Sequence, residues 1–600
     1  MNAPDIGMFF TKFDPLTKAY VDEKIGAAPA ACGTSCPCLS GMKFSVKLEG
    51  EFAPKTFKYE IIDEKTLKVK EGSKSCTVGY AAVSQGSITV LTHLITGTDS
   101  GWHLVIDRGT WAVTAFETWF GITVPVGGSL SGDKKPTGTR DIPREIQRQY
   151  YFGWIDKGDN EKPKKLHTTT NRIEGRGLHW KFDTGYELLT FNPSTCCTTL
   201  SELGGEMGGI TMTNPADYIR IDDENYIYAR WEVEFSGKMW LEVMNFFDFT
   251  AVGVELGFEA DDSLTYRLHS AELERTGDAA HLEMITDYGD KERPMIFMNT
   301  RKGGRYSYRP ADIDPPMSRE EALKHAAEVQ NILNGEANIM NAFNTMPLCD
   351  ALAGKSFKVR NDREKYAQAP WSGDKGNAWE YRIIDGENLK WRHGGRTWKE
   401  EKYACFQADK ELFFFAHMLS GDPDYSMVAQ VVDFRSGLTT TVKTGIGNWH
   451  SEWEAGANVF FGTLEYGDIQ PPFARRHHFT DELVGECFAY SYSEGMNSIH
   501  IYSSPESYSW TIFSGDNSGG ATWSSPCFYI KLRPDVYLFQ WVEENCNGSQ
   551  GLVLINRKIQ HDGGFFYGVS HNGLQLNITG AYMRELGKFR IRKYFDQYEK

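Results

Sequence analysis

Four side chains at every second position make the strongest case for chemistry: Tyr226, Tyr228, Arg230 and Glu232, with Trp231 in the opposite phase. Alternate residues of an extended chain share one face. On a common face, Arg fixes an anion through paired N–H bonds and Tyr donates a hydrogen bond. Glu carries a proton once burial raises its pKa. Such a set suits a carboxylate or phenol with which a proton is exchanged. The spacing alone also allows the opposite phase, with these four in water and Trp231 in the core.

His93 and His417 form a second set. Each stands in an apolar run ahead of a glycine, in His93-Leu-Ile-Thr-Gly97 and His417-Met-Leu-Ser-Gly421. An imidazole there fits a general base or a ligand contact, and equally a core histidine held by a carbonyl. His167 and His477 read as structural caps, and Asp63, Asp385 and Asp433 as turn residues. The run Tyr537, Phe539, Trp541, Glu543 copies the spacing of 226–232 without its Arg. With Trp391, it is expected to line a ligand cavity.

Nucleotide-binding loops, H-E-x-x-H and nucleophile-elbow signatures are missing from the sequence. Cys32-x3-Cys36-x-Cys38 has no second Cys or His pair nearby to close a zinc site. Neither metal nor cofactor is expected, and the expected partner is a small molecule.

The elements that must carry these residues are written twice. Tyr59-Glu-Ile-Ile-Asp-Glu-Lys-Thr-Leu-Lys-Val69 returns as Tyr381-Arg-Ile-Ile-Asp-Gly-Glu-Asn-Leu-Lys-Trp391, one hairpin in two copies. Val105-Ile-Asp107 returns as Val431-Val-Asp433, and Thr170-Asn-Arg-Ile-Glu-Gly175 as Thr480-Asp-Glu-Leu-Val-Gly485. The order is kept, so the chain reads as a tandem duplication of 39–275 and 352–600. Within each copy a Leu/Ile-x-Gly opening occurs twice, at Gly41, Gly175, Gly354 and Gly485, which divides the chain into four modules.

Period-two alternation such as Phe44, Val46, Leu48 and Trp240, Glu242, Met244 predicts short antiparallel strands throughout. The expected domains are an extension at 1–38, barrels at 39–150, 151–275, 352–465 and 466–600, and a linker at 276–351. The Gly/Pro-rich stretch 121–143 reads as a long loop. Two helices are expected, a short one from Asp14 to Lys24 and a capped one from Met317 to Leu333. The second either spaces the copies or supports a homodimer.

A net charge of −16 makes nucleic acid and anionic membrane poor partners. No apolar run is long enough for a spanning helix. The N-terminus lacks a signal-peptide pattern, and eleven scattered Cys suit a reducing compartment, so the cytoplasm is expected. Aromatic residues make up 13% of the chain, which suits filled or ligand-lined barrels.

The stretches "LAGKSF…YRIIDGENLKWR", "FFGTLE…HHFTDELVG" and "PDVYLFQWVEEN…GLVLINRK…GGFFYG" resemble the family named for molybdenum cofactor biosynthesis protein F. The resemblance covers most of 352–600 and, more faintly, 39–275. It implies an all-β chain of four lipocalin-like (calycin) barrels in two tandem pairs. Related calycin barrels use interior Tyr, Arg and Glu for metal-independent acid–base work. The expected function is therefore a cofactor-free lyase or isomerase/cyclase acting on a small apolar or aromatic metabolite. The alternatives are a non-catalytic ligand carrier and an accessory role in molybdenum-cofactor metabolism.

Overall fold

The computed structural model describes residues 16–27, 39–50, 56–121, 145–193, 197–203, 209, 211–232, 238–259, 261–279, 317–334, 343–362, 366–367, 378–448, 451–514, 522–543 and 548–595. The Cys32–Cys38 cluster and nearly all of the 121–143 loop lie outside them.

The chain forms four closed antiparallel barrels of eight strands each. Barrel 1 runs from Lys43–Glu49 to Glu145–Asp156, and those two strands pair to close it, Val46 opposite Ile155. Its last strand thus extends past residue 150, where a boundary was expected. Barrel 2 spans Arg176–Phe182 to Leu264–Asp278, and barrel 3 Ser356–Asn361 to Ala455–Glu465. Barrel 4 begins at Glu486–Ser491. Its final strand is split in two, Gly573–Thr579 on one neighbour and Tyr582–Lys588 on the other, where barrel 2 has one long strand.

The barrels pack in pairs, and this packing selects the strand phases. Ile227, Ala229 and Trp231 share an apolar cluster with Ile88, Val90 and Phe116 of barrel 1. That cluster turns Tyr226, Tyr228, Arg230 and Glu232 into the lumen of barrel 2, where Tyr226 and Tyr228 join Trp180, Phe182 and Trp240. A strand whose two faces are both covered is buried at every position, as in Asn225–Trp231. Barrels 3 and 4 repeat the arrangement, with Phe414 and Val442 packed against Leu538 and Leu554.

The connectors are fastened in the same way in both copies. His167 Nδ1 meets Thr114 Oγ1 at 2.8 Å, and His477 Nδ1 meets Thr440 Oγ1 at 2.9 Å. Both histidines are buried, each tying a linker to the barrel before it.

The expected helices shift. The first covers Lys18–Ala27 and sets Val21 and Ile25 against the contact between barrels 1 and 2. The second covers Arg319–Glu328, with the Ser318–Glu321 capping box in place. It stops short of Leu333 because β-branched Val329 turns extended. Gln330–Ile332 then adds as a parallel strand beside Gly573–Thr579, satisfying an otherwise open sheet edge. Among the described residues no helix is long and apolar enough to cross a membrane.

Candidate functional site in barrel 2

Strand register builds the site. Across four neighbouring strands one inward row reads Tyr228, Glu242, Gly253, His269, and the next reads Arg230, Trp240, Glu255, Arg267. Glu242 and His269 stand on strands that are not neighbours. They approach within 3.7 Å because the strand between them contributes Gly253, which has no side chain.

The deeper groups are almost fully buried, Arg230 and Glu242 at 1% exposure and His269 at 3%. Arg230 donates through Nη1 to Glu232 Oε1 at 3.0 Å, and its Cζ lies 4.6 Å from the Trp240 ring. Burial works against the guanidinium charge. The surrounding Glu232, Tyr228 and Glu242 outweigh it and hold the pKa above its ordinary value.

Six polar atoms in this cluster have no hydrogen-bond partner among the described residues: Arg230 Nη2, Trp240 Nε1, both Glu242 oxygens and both His269 nitrogens. Buried polar atoms are nearly always paired, because leaving one unpaired costs about 1–3 kcal/mol. Here the unpaired donors and acceptors lie on the two adjacent inward rows, beside the packed rings of Phe182, Trp240 and His269, whose centroids lie 5.2–5.5 Å apart.

Toward the end of the barrel the lining becomes more charged. Lys238 and Arg267 both bond Glu255, at 2.9 and 2.6 Å. Glu202, on the strand Cys197–Leu203, is raised to about 7 by burial and by the Glu232 charge, against the pull of Tyr186 and Arg230. A carboxyl that titrates near neutrality can act as either acid or base.

Of the residues singled out from the sequence, the structure joins Arg230 and Glu232 to this cluster. Tyr228 shares the row of Glu242 and His269, but its hydroxyl is engaged, donating to Thr198 Oγ1 at 2.9 Å, and its ring stacks on Tyr218. Tyr226 lies at the far end, where its hydroxyl donates to the Asp223 carbonyl at 3.3 Å.

The other candidates occupy different lumens. His93 meets the Tyr59 hydroxyl at 3.0 Å in barrel 1, and His417 meets Tyr381 at 3.4 Å in barrel 3, with Trp391 packed beside it. Burial pushes both imidazoles down to about 4. In barrel 4, Phe539 stacks between Tyr529 and Trp541, and Trp541 donates to Glu543 at 2.6 Å. Tyr537 turns to the rim and donates to Glu482 at 2.8 Å.

Glu242, His269, Trp240 and Glu202 were not singled out from the sequence. The alternation Trp240, Glu242, Met244 was visible, but only the pairing register sets it beside Arg230 and His269. Among the described residues no cluster of three metal-ligating side chains occurs.

Comparison with known proteins places the second copy. The MoaF N-terminal domain matches residues 339–448 and the MoaF C-terminal domain matches 477–588. This half of the chain is MoaF-like. Each MoaF domain falls on one barrel, so barrels 3 and 4 make one two-domain unit, and the four barrels fit a tandem duplication of it. Protein MoaF of Klebsiella aerogenes is 34% identical over 86 residues, 14% of this chain and 32% of that protein. The match thus spans about a third of the curated relative's length.

Among solved structures, one from Burkholderia vietnamiensis, described provisionally as a beta-lactamase, shares 16% identity. It covers 17% of this chain and 94% of its own, at a TM-score of 0.15. A bifunctional GH43-CE protein of Bacteroides eggerthii shares 9% identity over 72% of this chain and 62% of its own, at a TM-score of 0.07. Scores this low carry no structural argument.

Proposed function

We propose that barrel 2 takes up a small metabolite with an anionic head and moves a proton on it, as a lyase or isomerase that uses its own side chains as acid and base. The carrying observation is the convergence of unpaired buried groups: Arg230 Nη2 and Trp240 Nε1 as donors, beside the Glu242–His269 pair. The two donors hold a carboxylate or phenolate oxygen. Glu242 and His269 exchange a proton with the neighbouring carbon or hydroxyl, and Glu202 supplies a second group near neutrality. The aromatic wall of Phe182, Tyr186 and Trp240 favours a flat or apolar body on the ligand.

The likeness to MoaF supports a second reading, a role connected with molybdenum-cofactor biosynthesis. In that case barrel 2 binds or delivers a ligand without converting it.

Native mass spectrometry of the purified protein, followed by an assay of any retained molecule, tests both readings. Under the enzyme reading, Glu242→Gln and Arg230→Lys each lower turnover on the order of 100-fold with an unchanged circular dichroism spectrum. Binding without conversion supports the carrier reading. Full turnover in both variants rules out this site.

A further inference from the structure

The contact between barrels 2 and 4 has the form of a two-fold interface. Corresponding residues of the two copies differ by 310 or 311 in number: Pro215 and Pro526 begin the same pairing, opposite Cys197 and Ser507. Thr213 and Ser524 are one such pair, and their hydroxyl oxygens touch each other at 2.8 Å. A residue that contacts its own counterpart lies on the axis of an isologous interface.

Off the axis the contacts are reciprocal. A β-carbon on Gly277 would strike the Lys588 carbonyl, and one on Gly587, its counterpart, would strike the Asp278 carbonyl. So 277 faces 588 while 587 faces 278, the relation that two-fold symmetry requires. Two equivalent hydrogen bonds flank this crossing, Ala279 N to the Gly175 carbonyl and Phe589 N to the Gly485 carbonyl, both at 2.7 Å. The apolar part is self-matched as well: Leu189 and Phe191 share one cluster with their counterparts Ile499 and Ile501. Chance packing of two similar barrels does not bring matched residues together at the axis and on both flanks.

We infer that this face is a self-association surface of the two-barrel unit, and that the partner it fits is the C-terminal barrel of a second such unit. The tandem chain is a dimer closed in cis, in which duplication tethered the partner and left the two lumens free to diverge. This inference is independent of any activity in barrel 2.

A protease site inserted between residues 290 and 300 of the full chain separates the copies covalently without changing any residue named above. After cleavage, size-exclusion chromatography with light scattering is expected to give one particle near the intact 67.9 kDa. Thr213→Lys, which buries a charge on the axis, is expected to weaken the cut pair at least tenfold, and Thr213→Lys with Ser524→Glu to restore it. Ser524→Lys serves if Thr213→Lys does not fold. Halves that part on cleavage overturn the inference. So do halves that stay together irrespective of the axial lysine.

Discussion

A β-carbon on residue 253 would run into the Leu241 carbonyl and lie 3.0 Å from both the Glu242 Cα and His269 Nε2. It would therefore part the acid from the imidazole. Gly253→Ala is expected to cost about 1–3 kcal/mol from overpacking and to lower turnover at least tenfold. Denaturant titration and steady-state rates check the two effects separately. If both stay at the parent level, the glycine is not what brings the pair together. This residue also marks where the site stops being legible in sequence. Arg230 and Glu232 are local neighbours in a period of two, and the eye finds them. Glu242 and His269 are 27 positions apart on non-adjacent strands, and only the register joins them.

Titration of buried groups gives a second test at this scale, with two opposite signs. Burial raises Asp562 to about 7, against the pull of the Ala581 amide. The native state therefore holds a proton that the unfolded chain releases. That stabilisation is complete below about pH 4 and lost as pH climbs to 7. His93 and His417 run the other way: with folded values of about 4, their contribution is present above 6.5 and lost as pH falls. Asp562→Asn is expected to leave the acid side unchanged and to gain in melting temperature over the parent as pH rises from 4 to 8. A constant difference across that range contradicts the assignment.

At the scale of elements, the strands that stand between two barrels decide the most. The phase of Asn225–Trp231 was open in the sequence because both of its faces carry large residues. It is settled by Trp231, which needs an apolar partner and finds one in Phe116 of barrel 1, 6.4 Å away. The same ring carries the Arg148 guanidinium at 3.3 Å, and Arg148 Nε reaches Asp217 Oδ2 across the seam at 2.7 Å. Arg148 is 4% exposed at its side chain, so neutralising Asp217 takes a carboxylate partner from a buried cation. Asp217→Asn is expected to destabilise the barrel 1–barrel 2 unit by about 3–5 kcal/mol. Arg148→Met together with Asp217→Leu is expected to recover most of it. Calorimetry reads both, and a single variant that melts like the parent means the pair contributes nothing. The helix Arg319–Glu328 gives the reverse lesson. Its start was legible because a cap is local, whereas its end was not, because the competing strand partner lies more than 200 residues away.

Over the whole molecule the duplication was legible, since a repeat needs no knowledge of packing, and four barrels followed from it. What each lumen became is a property of the filled interior. The inward rows of barrel 4 that match the site read Phe539, Val553, Gly564, Thr579 and Trp541, Gly551, Phe566, Asn577. The glycine of the inward row is kept, as Gly253 and Gly564, while Arg230, Glu242 and His269 give way to Trp541, Val553 and Thr579. Trp541 fits only because Gly551 leaves room against its ring, where barrel 2 has Trp240. At these matched positions barrel 4 thus exchanges unpaired polar atoms for stacked rings, with Phe539 lying 5.0–5.5 Å from Tyr508, Tyr529 and Trp541. Paired substitutions at the matched positions should dissociate two roles. Trp541→Leu removes ring packing and is expected to cost stability by about 3 kcal/mol, with turnover per folded molecule unchanged. Arg230→Lys keeps the buried charge and most of the volume, so stability moves little while turnover collapses. Melting curves and rates on both variants decide it. If Trp541→Leu also abolishes turnover in the folded protein, the two lumens work together and the site cannot be confined to barrel 2.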